Sequence, residues 1–168
     1  MKKTILMVAV IFTAFTTITK AQSELAKNEF NKTLTAYFDT KNALAKDNVN
    51  LAAVGAKSLL TNLATFPIKS LSVAQQIIWK AQREEIKKAA NAMVLQKDLA
   101  AQRKSFWPLS SAMLELVKAF KLNKNDVYVQ HCPMAKKSWL NEVEAVQNPF
   151  YGSMMYDCGE ITETITKK

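Results

Sequence analysis

Apolar side chains return every three or four positions through most of the first 122 residues, a spacing that predicts amphipathic helices. Over residues 24–46 the stripe is Phe30, Leu34, Tyr37, Phe38 and Leu44. A polar break from Lys46 to Asn50 follows, with Asp47 placed to cap the next helix. The second stripe is Ala52, Ala56, Leu59, Leu60 and Leu63, and its small members would let two helices approach closely. Pro67 breaks this pattern, because proline pushes the preceding Phe66 out of the α region. Ser72, with Gln75 three residues on, makes a capping box that opens a third helix from Val73 to about Gln96. That helix is expected to bury Ile78, Ile86, Ala89 and Met93. Leu99, Phe106, Met113, Val117 and Phe120 mark a fourth helix from Lys97 to Leu122, joined to the third around Gln96–Asp98. Pro108 lies inside it, removes one backbone donor and is expected to kink it near Lys104–Pro108. Four such helices on short connections predict a mainly α fold, an antiparallel four-helix bundle.

The pattern changes after residue 122. "VYVQHC", from Val127, is β-branched and aromatic and reads as a short strand. "CGEITETIT", from Cys158, reads as a second strand able to pair with it. Pro133, Pro149, Gly152 and Gly159 all fall in this stretch. We therefore expect one domain over residues 22–168. It divides into a helical bundle (22–122) and a small C-terminal β-hairpin-like tail (123–168) that holds both cysteines.

The first residues read differently from either part. Lys2 and Lys3 precede an apolar run from Ile5 to about Ile18, and small residues follow at Thr19 and Ala21. This is the pattern of a secretory signal peptide over residues 1–21, cleaved after Ala21. The run is short for a membrane span, and Thr13, Thr16, Thr17 and Thr19 interrupt it. An exported protein without stable membrane insertion after cleavage is expected. The formal net charge is +9, of which Lys2, Lys3 and Lys20 contribute three. The other cations are spread along the chain rather than gathered in a dense basic patch with interleaved aromatics, so no nucleic-acid partner is indicated. A hydrophobic fraction of 49% argues against disorder.

The chemistry concentrates in two short runs, "QHCPMA" from Gln130 and "MMYDCG" from Met154. They contain both cysteines, the single histidine and three of the seven methionines. In an extended segment Cys132 and Met134 share a face, whereas His131 points away unless Pro133 turns it inward. Met155 and Cys158 are one tight turn apart, and Met154 is a competing candidate. Thiolate, thioether and imidazole together suit Cu(I) or Ag(I). Zinc on Cys132, Cys158 and His131 is less well matched, since methionine gives no reason to expect it. Two cysteines in an exported protein are equally explained by a disulfide. Closing a loop of about 25 residues would contribute ~3 kcal/mol. Spacing alone leaves metal and disulfide level. No nucleophile motif, phosphate loop or paired carboxylates are seen, so no enzyme is expected.

Several stretches resemble a known family: "YFDTKNALAKDN", "QRKSFWPLSSAMLELVKAF", "VYVQHCPMA", "WLN" and "NPFYGSMMYDCGEI". They are similar to the domain of unknown function 3347, over about Tyr37 to Glu160, with the C-terminal motifs the specific part. That domain occurs alone in exported bacterial proteins and at the C-terminus of periplasmic adaptors of heavy-metal efflux systems. The resemblance implies a helical bundle with a metal-associated tail. The matching positions are Cys132, Pro133, Met134, Trp139, Asn148, Pro149, Gly152, Met155, Cys158 and Gly159. Met154 falls where the family varies and ranks below Met155. The link from "CPM" to Trp139 is shorter here than in many relatives.

The reading is thus a periplasmic Cu(I)- or Ag(I)-binding protein, buffering the metal or passing it to an efflux adaptor or another periplasmic metal protein. Its ligands would be Cys132, Met134, Met155 and Cys158, with His131 as a further candidate. The alternative is a structural or interaction bundle closed by a Cys132–Cys158 disulfide, without metal. Trp139 either shields a soft cation with its indole face or packs the tail on the bundle. Asn148, Pro149 and Gly152 are expected to form the turn that sets Met155 and Cys158.

Overall fold

A computed structural model describes the backbone of residues 2–167 and the side chains of residues 24–167. The signal-peptide reading of residues 1–21 lies outside the described side chains. The chain forms four helices, α1 (Lys2–Ala45), α2 (Val49–Thr65), α3 (Val73–Leu95) and α4 (Leu99–Phe120). Each packs on the next, and α4 also reaches α1. The predicted stripes form the core: Phe30, Leu34, Tyr37 and Leu44 meet Ala52, Ala56, Leu59 and Leu63, and Ile86, Ala89 and Met93 meet Phe106, Met113, Val117 and Phe120. Phe38, Leu60, Ile78 and Leu99 lie half-buried at its margin. Trp79 is the buried anchor next to Ile78, stacked on Phe66 with ring centres 3.9 Å apart.

The helix ends follow local chemistry. Ser72 and Gln75 make the expected capping box of α3, and the Asp98 carboxylate accepts from Ala100 and Ala101 to cap α4. The cap of α2 differs from expectation. Asn48 is the N-cap, its side-chain oxygen accepting from Leu51 N–H at 2.9 Å. Asp47 instead ends α1 at φ +56°, where the Asn48 N–H reaches back to the Ala43 carbonyl at 2.8 Å. A left-handed residue closing a helix satisfies carbonyls that otherwise lack donors. This also frees the Asp47 carboxylate to point elsewhere. α4 continues through Pro108, whose ring denies the Lys104 carbonyl its intrahelical donor. Gly55 of α2 lies against α1: a β-carbon there would stand 2.8 Å from Thr40 N and 3.0 Å from Thr40 Cα.

The tail holds three antiparallel strands, β1 (Val127–Cys132), β2 (Lys137–Asn141) and β3 (Glu160–Ile165), in the order β2-β1-β3. The expected β1–β3 pairing is present, with Val127 opposite Ile165. β2 was not anticipated. It returns through a four-residue turn, Pro133–Lys136, so Gln130 faces Trp139 and Cys132 faces Lys137. The outer edge of β2 docks on the bundle: the Leu140 N–H donates to Tyr37 Oη at 3.0 Å, and Ser110 Oγ donates to the Ser138 carbonyl at 3.3 Å. Tyr37 and Ser110 are themselves bonded at 2.8 Å. An edge covered in this way does not offer itself to other strands. Burial raises the pKa of Tyr37, so its hydroxyl keeps its proton and both roles in this chain.

Candidate functional site

Cys132 ends β1, fully buried. The turn that follows brings backbone donors onto its sulfur: the Ala135 N–H lies 3.4 Å away, and the Met134 N–H also faces it. Successive N–H groups aimed at one point make a small anion-binding concavity. Cys158 approaches from the other side, half-buried, with its Sγ 2.9 Å from Cys132 Sγ. Both cysteines are free thiols.

The electrostatics divide the pair unequally. Burial pushes the Cys132 thiol up. Hydrogen bonds from Cys158, from the N–H groups of Ala135 and Met134 and from the Asn148 amide outweigh this and hold it below the usual thiol range. Donating to Cys132 pushes the Cys158 thiol up, and burial and the charges of Cys132 and Asp157 add to this. One proton is therefore best kept on Cys158, with Cys132 as the favoured thiolate. A close pair of soft sulfurs, one of them eased toward its thiolate, is suited to nucleophilic attack, oxidation or binding of a soft cation.

The loop from Asn148 to Cys158 is held by its own bonds. Asn148 donates from its backbone to the Tyr156 carbonyl at 2.8 Å and from its side chain to the Cys158 carbonyl at 2.9 Å. Its side-chain oxygen accepts from Phe150 N–H at 2.8 Å. The expected turn between Met155 and Cys158 is present, closed by the Cys158 N–H on the Met155 carbonyl at 3.2 Å. Asn148 and Gly152 are turn-formers as expected, and Asn148 also reaches both cysteines.

The other predicted ligands are placed less centrally. Met155 is half-buried beside Cys158. Met134 presents its backbone to the sulfurs, while its side chain is 64% exposed. Met154 is 75% exposed. His131 keeps regular strand register between Ser138 and Glu160, and its Nδ1 is bonded to Ser138 Oγ at 3.0 Å. Pro133 does not disturb that register, so strand alternation leaves His131 on the face opposite Cys132. Among the described residues, no three His, Cys, Asp or Glu side chains form a group that could hold a metal ion. Trp139 is fully buried and packs edge-on against Phe150, with centroids 6.1 Å apart. Its ring edge also faces Gly159. These are packing contacts within the tail, and its indole N–H has no hydrogen-bond partner.

Two polar anchors tie this region to the helices, and the sequence reading had given neither a role. Lys41, fully buried on α1, donates to Asn141 Oδ1 and to Gln147 Oε1 at 2.8 Å. It lies 3.2 Å from Glu142 Oε2, which makes no aligned hydrogen bond. The contact is thus an ion pair by proximity alone. Burial lowers the Lys41 pKa to about 8, against the opposing pull of Glu142. In the second anchor the Arg103 guanidinium donates to the Pro149 and Leu44 carbonyls, each at 2.9 Å, and to Asp47 Oδ1. Asp47 Oδ2 accepts from Ser153 N–H at 3.0 Å and from Ser153 Oγ. A signal for both was present: Lys41 falls four after Tyr37, and Arg103 four after Leu99, each in line with an apolar stripe. A charge on a core stripe implies a buried partner.

No helix among the described residues is long and apolar enough to cross a membrane. No curated protein and no solved structure matches the chain. A family model described as "Protein of unknown function (DUF3347)" matches residues 33–125. That segment spans the C-terminal part of α1 from residue 33 and all of α2–α4, and it stops before β1, so the cysteine-bearing tail lies outside it. Since the matched segment is more than half of the 168 residues, the chain belongs to the domain of unknown function 3347 family.

Proposed function

We propose that this protein binds Cu(I) or Ag(I) in the periplasm through Cys132 and Cys158. It buffers the metal or hands it to an efflux adaptor or another periplasmic metal protein. The observation that carries the reading is the 2.9 Å approach of two free thiol sulfurs from segments 26 residues apart. The backbone donors on Cys132 support it, because they stabilise the thiolate that a soft cation needs. Met155, half-buried and joined to Cys158 by one tight turn, is the preferred candidate for a third, weak donor, ahead of the exposed Met134, and His131 ranks last. A zinc site is not favoured, since the third nitrogen or oxygen ligand it needs is missing from the group.

The fit sets a requirement. Two sulfurs that share one metal at bonds of ~2.3 Å must stand roughly 3.8–4.6 Å apart. The pair must therefore open by about 1 Å or more, and the half-buried Cys158 is the partner with room to move. The same proximity favours a second reading, in which the two cysteines close a disulfide and the protein is a structural or interaction bundle.

Free-thiol counting and competitive Cu(I) titration separate these readings. The metal reading expects two reactive thiols after mild reduction and one Cu(I) taken from a chelator, lost in the Cys132→Ser/Cys158→Ser double variant. Thiols that resist mild reductant, with no Cu(I) uptake, would establish the disulfide-closed bundle instead.

A further inference from the structure

The separation of the thiol pair depends on where the segment that bears Cys158 is held, and the structure identifies what restrains that segment. The segment's internal bonds link Asn148 to Tyr156 and Cys158, Gly152 to Asn148, Met155 to Gly152 and Cys158 to Met155. It therefore moves as one piece. It meets the helices through Phe150, which packs on Phe106 and Trp107, through the Pro149 carbonyl on Arg103, and through Ser153 on Asp47. Ser153 directly follows Gly152, whose N–H is bonded to the Asn148 carbonyl, so the contact with Asp47 grips the piece at the turn that Asn148 organises.

We propose that Asp47 is the positioning residue of the thiol pair: it grips Arg103 with one carboxylate oxygen and Ser153 with the other, and so holds Cys158 Sγ against Cys132 Sγ. Asp47 touches neither sulfur. It acts from the α1–α2 turn, a place that nothing in the tail sequence indicates. The proposal rests on the reading that the thiol pair is the functional site, but its test requires no metal.

The geometry suits an isosteric test. Asn is at home at a left-handed helix end, so Asp47→Asn keeps the turn. Its side chain has one acceptor oxygen, and its NH2 turns a donor toward either Ser153 or Arg103. Ser153→Ala removes one bond and leaves the Asp47–Arg103 pair intact.

The readout is the effective concentration of the two thiols in metal-free purified protein, equilibrated with reduced and oxidised glutathione. The protein dithiol loses two electrons and two protons and gains one S–S bond. Oxidised glutathione loses its S–S bond and leaves as two reduced molecules. Wild type should give the highest value. Asp47→Asn should lower it on the order of tenfold, as expected for a lost charge-assisted bond, and Ser153→Ala should lower it several-fold. Thermal melts run alongside should show Ser153→Ala within a few degrees of wild type, separating positioning from general unfolding. Values for both variants within twofold of wild type would overturn the proposal. So would a fall in Asp47→Asn that tracks its loss of fold, with Ser153→Ala unchanged. A high effective concentration with no Cu(I) uptake would instead count against the metal reading alone.

Discussion

Gly152→Ala tests the second anchor from the other side. Gly152 sits at φ +59° beneath the Asp47–Arg103 pair. A β-carbon there would fall inside contact distance of Asp47 Oδ1 and Arg103 Nη2, and 2.8 Å from Asp47 Cγ. Two costs follow. An alanine held in the left-handed region costs about 1–2 kcal/mol. Moving the carboxylate aside forfeits a hydrogen bond to a charged group, about 1.5–3 kcal/mol. The sum is about 2.5–5 kcal/mol, a large part of a small domain's stability. Urea unfolding with linear extrapolation measures it, and the slope should be unchanged because the area exposed is the same. Removing the carboxylate should relieve the clash with Asp47 and leave its bond counted once, so Gly152→Ala with Asp47→Ala should cost about 1.5–3 kcal/mol less than the sum of the single changes. A Gly152→Ala variant within about 0.5 kcal/mol of wild type, or strict additivity in the cycle, would refute the reasoning.

Three further outcomes are expected. Burial lowers the Lys41 pKa to about 8 from 10.5, so the folded chain releases this proton first. Wild-type stability relative to Lys41→Met should be flat below pH 8 and rise until about pH 10.5; a flat difference across that window in urea titrations would contradict it. Hydrogen bonding from Ser153, then from Arg103, lowers the Asp47 pKa below its ordinary 3.8. Its contribution is therefore full above that value and lost as pH falls through the folded value, so acid unfolding of Asp47→Asn should converge on wild type at the lowest pH. Gly55→Ala places a methyl 2.6 Å from Thr40 Oγ1 and 2.8 Å from Thr40 N. Overpacking costs about 1–3 kcal/mol, against about 1 kcal/mol returned by helix propensity, so the thermal midpoint should fall rather than rise.

The helices were legible because each carries its own evidence. Stripes at three- and four-residue steps, the Ser72–Gln75 box and Pro67 are local signals, and the core and helix limits follow them closely. Misassignment came where two local roles competed. Asp47 and Asn48 are both good caps, and which one caps α2 is decided by Asp47 taking the left-handed conformation that ends α1. β2 was missed because "KSWLN" is short and half polar. It is a strand because β1 pairs with it on one edge and Tyr37 and Ser110 satisfy the other.

For the site, sequence alone determined its inventory: two cysteines, their methionines and the turn-forming Asn148 and Gly152, gathered in the tail. It also determined the internal turn from Met155 to Cys158, a three-residue relation. Only the tertiary structure decided that Cys132 and Cys158 meet at 2.9 Å while His131 turns to the other face. It alone decided that Asp47, Arg103 and Lys41 hold the tail in place. The reason is distance along the chain. A turn or helix face is set by neighbours whose spacing can be read directly, whereas these contacts join residues 26 to 106 positions apart. They form only when helix packing has already paid the entropy of bringing them together.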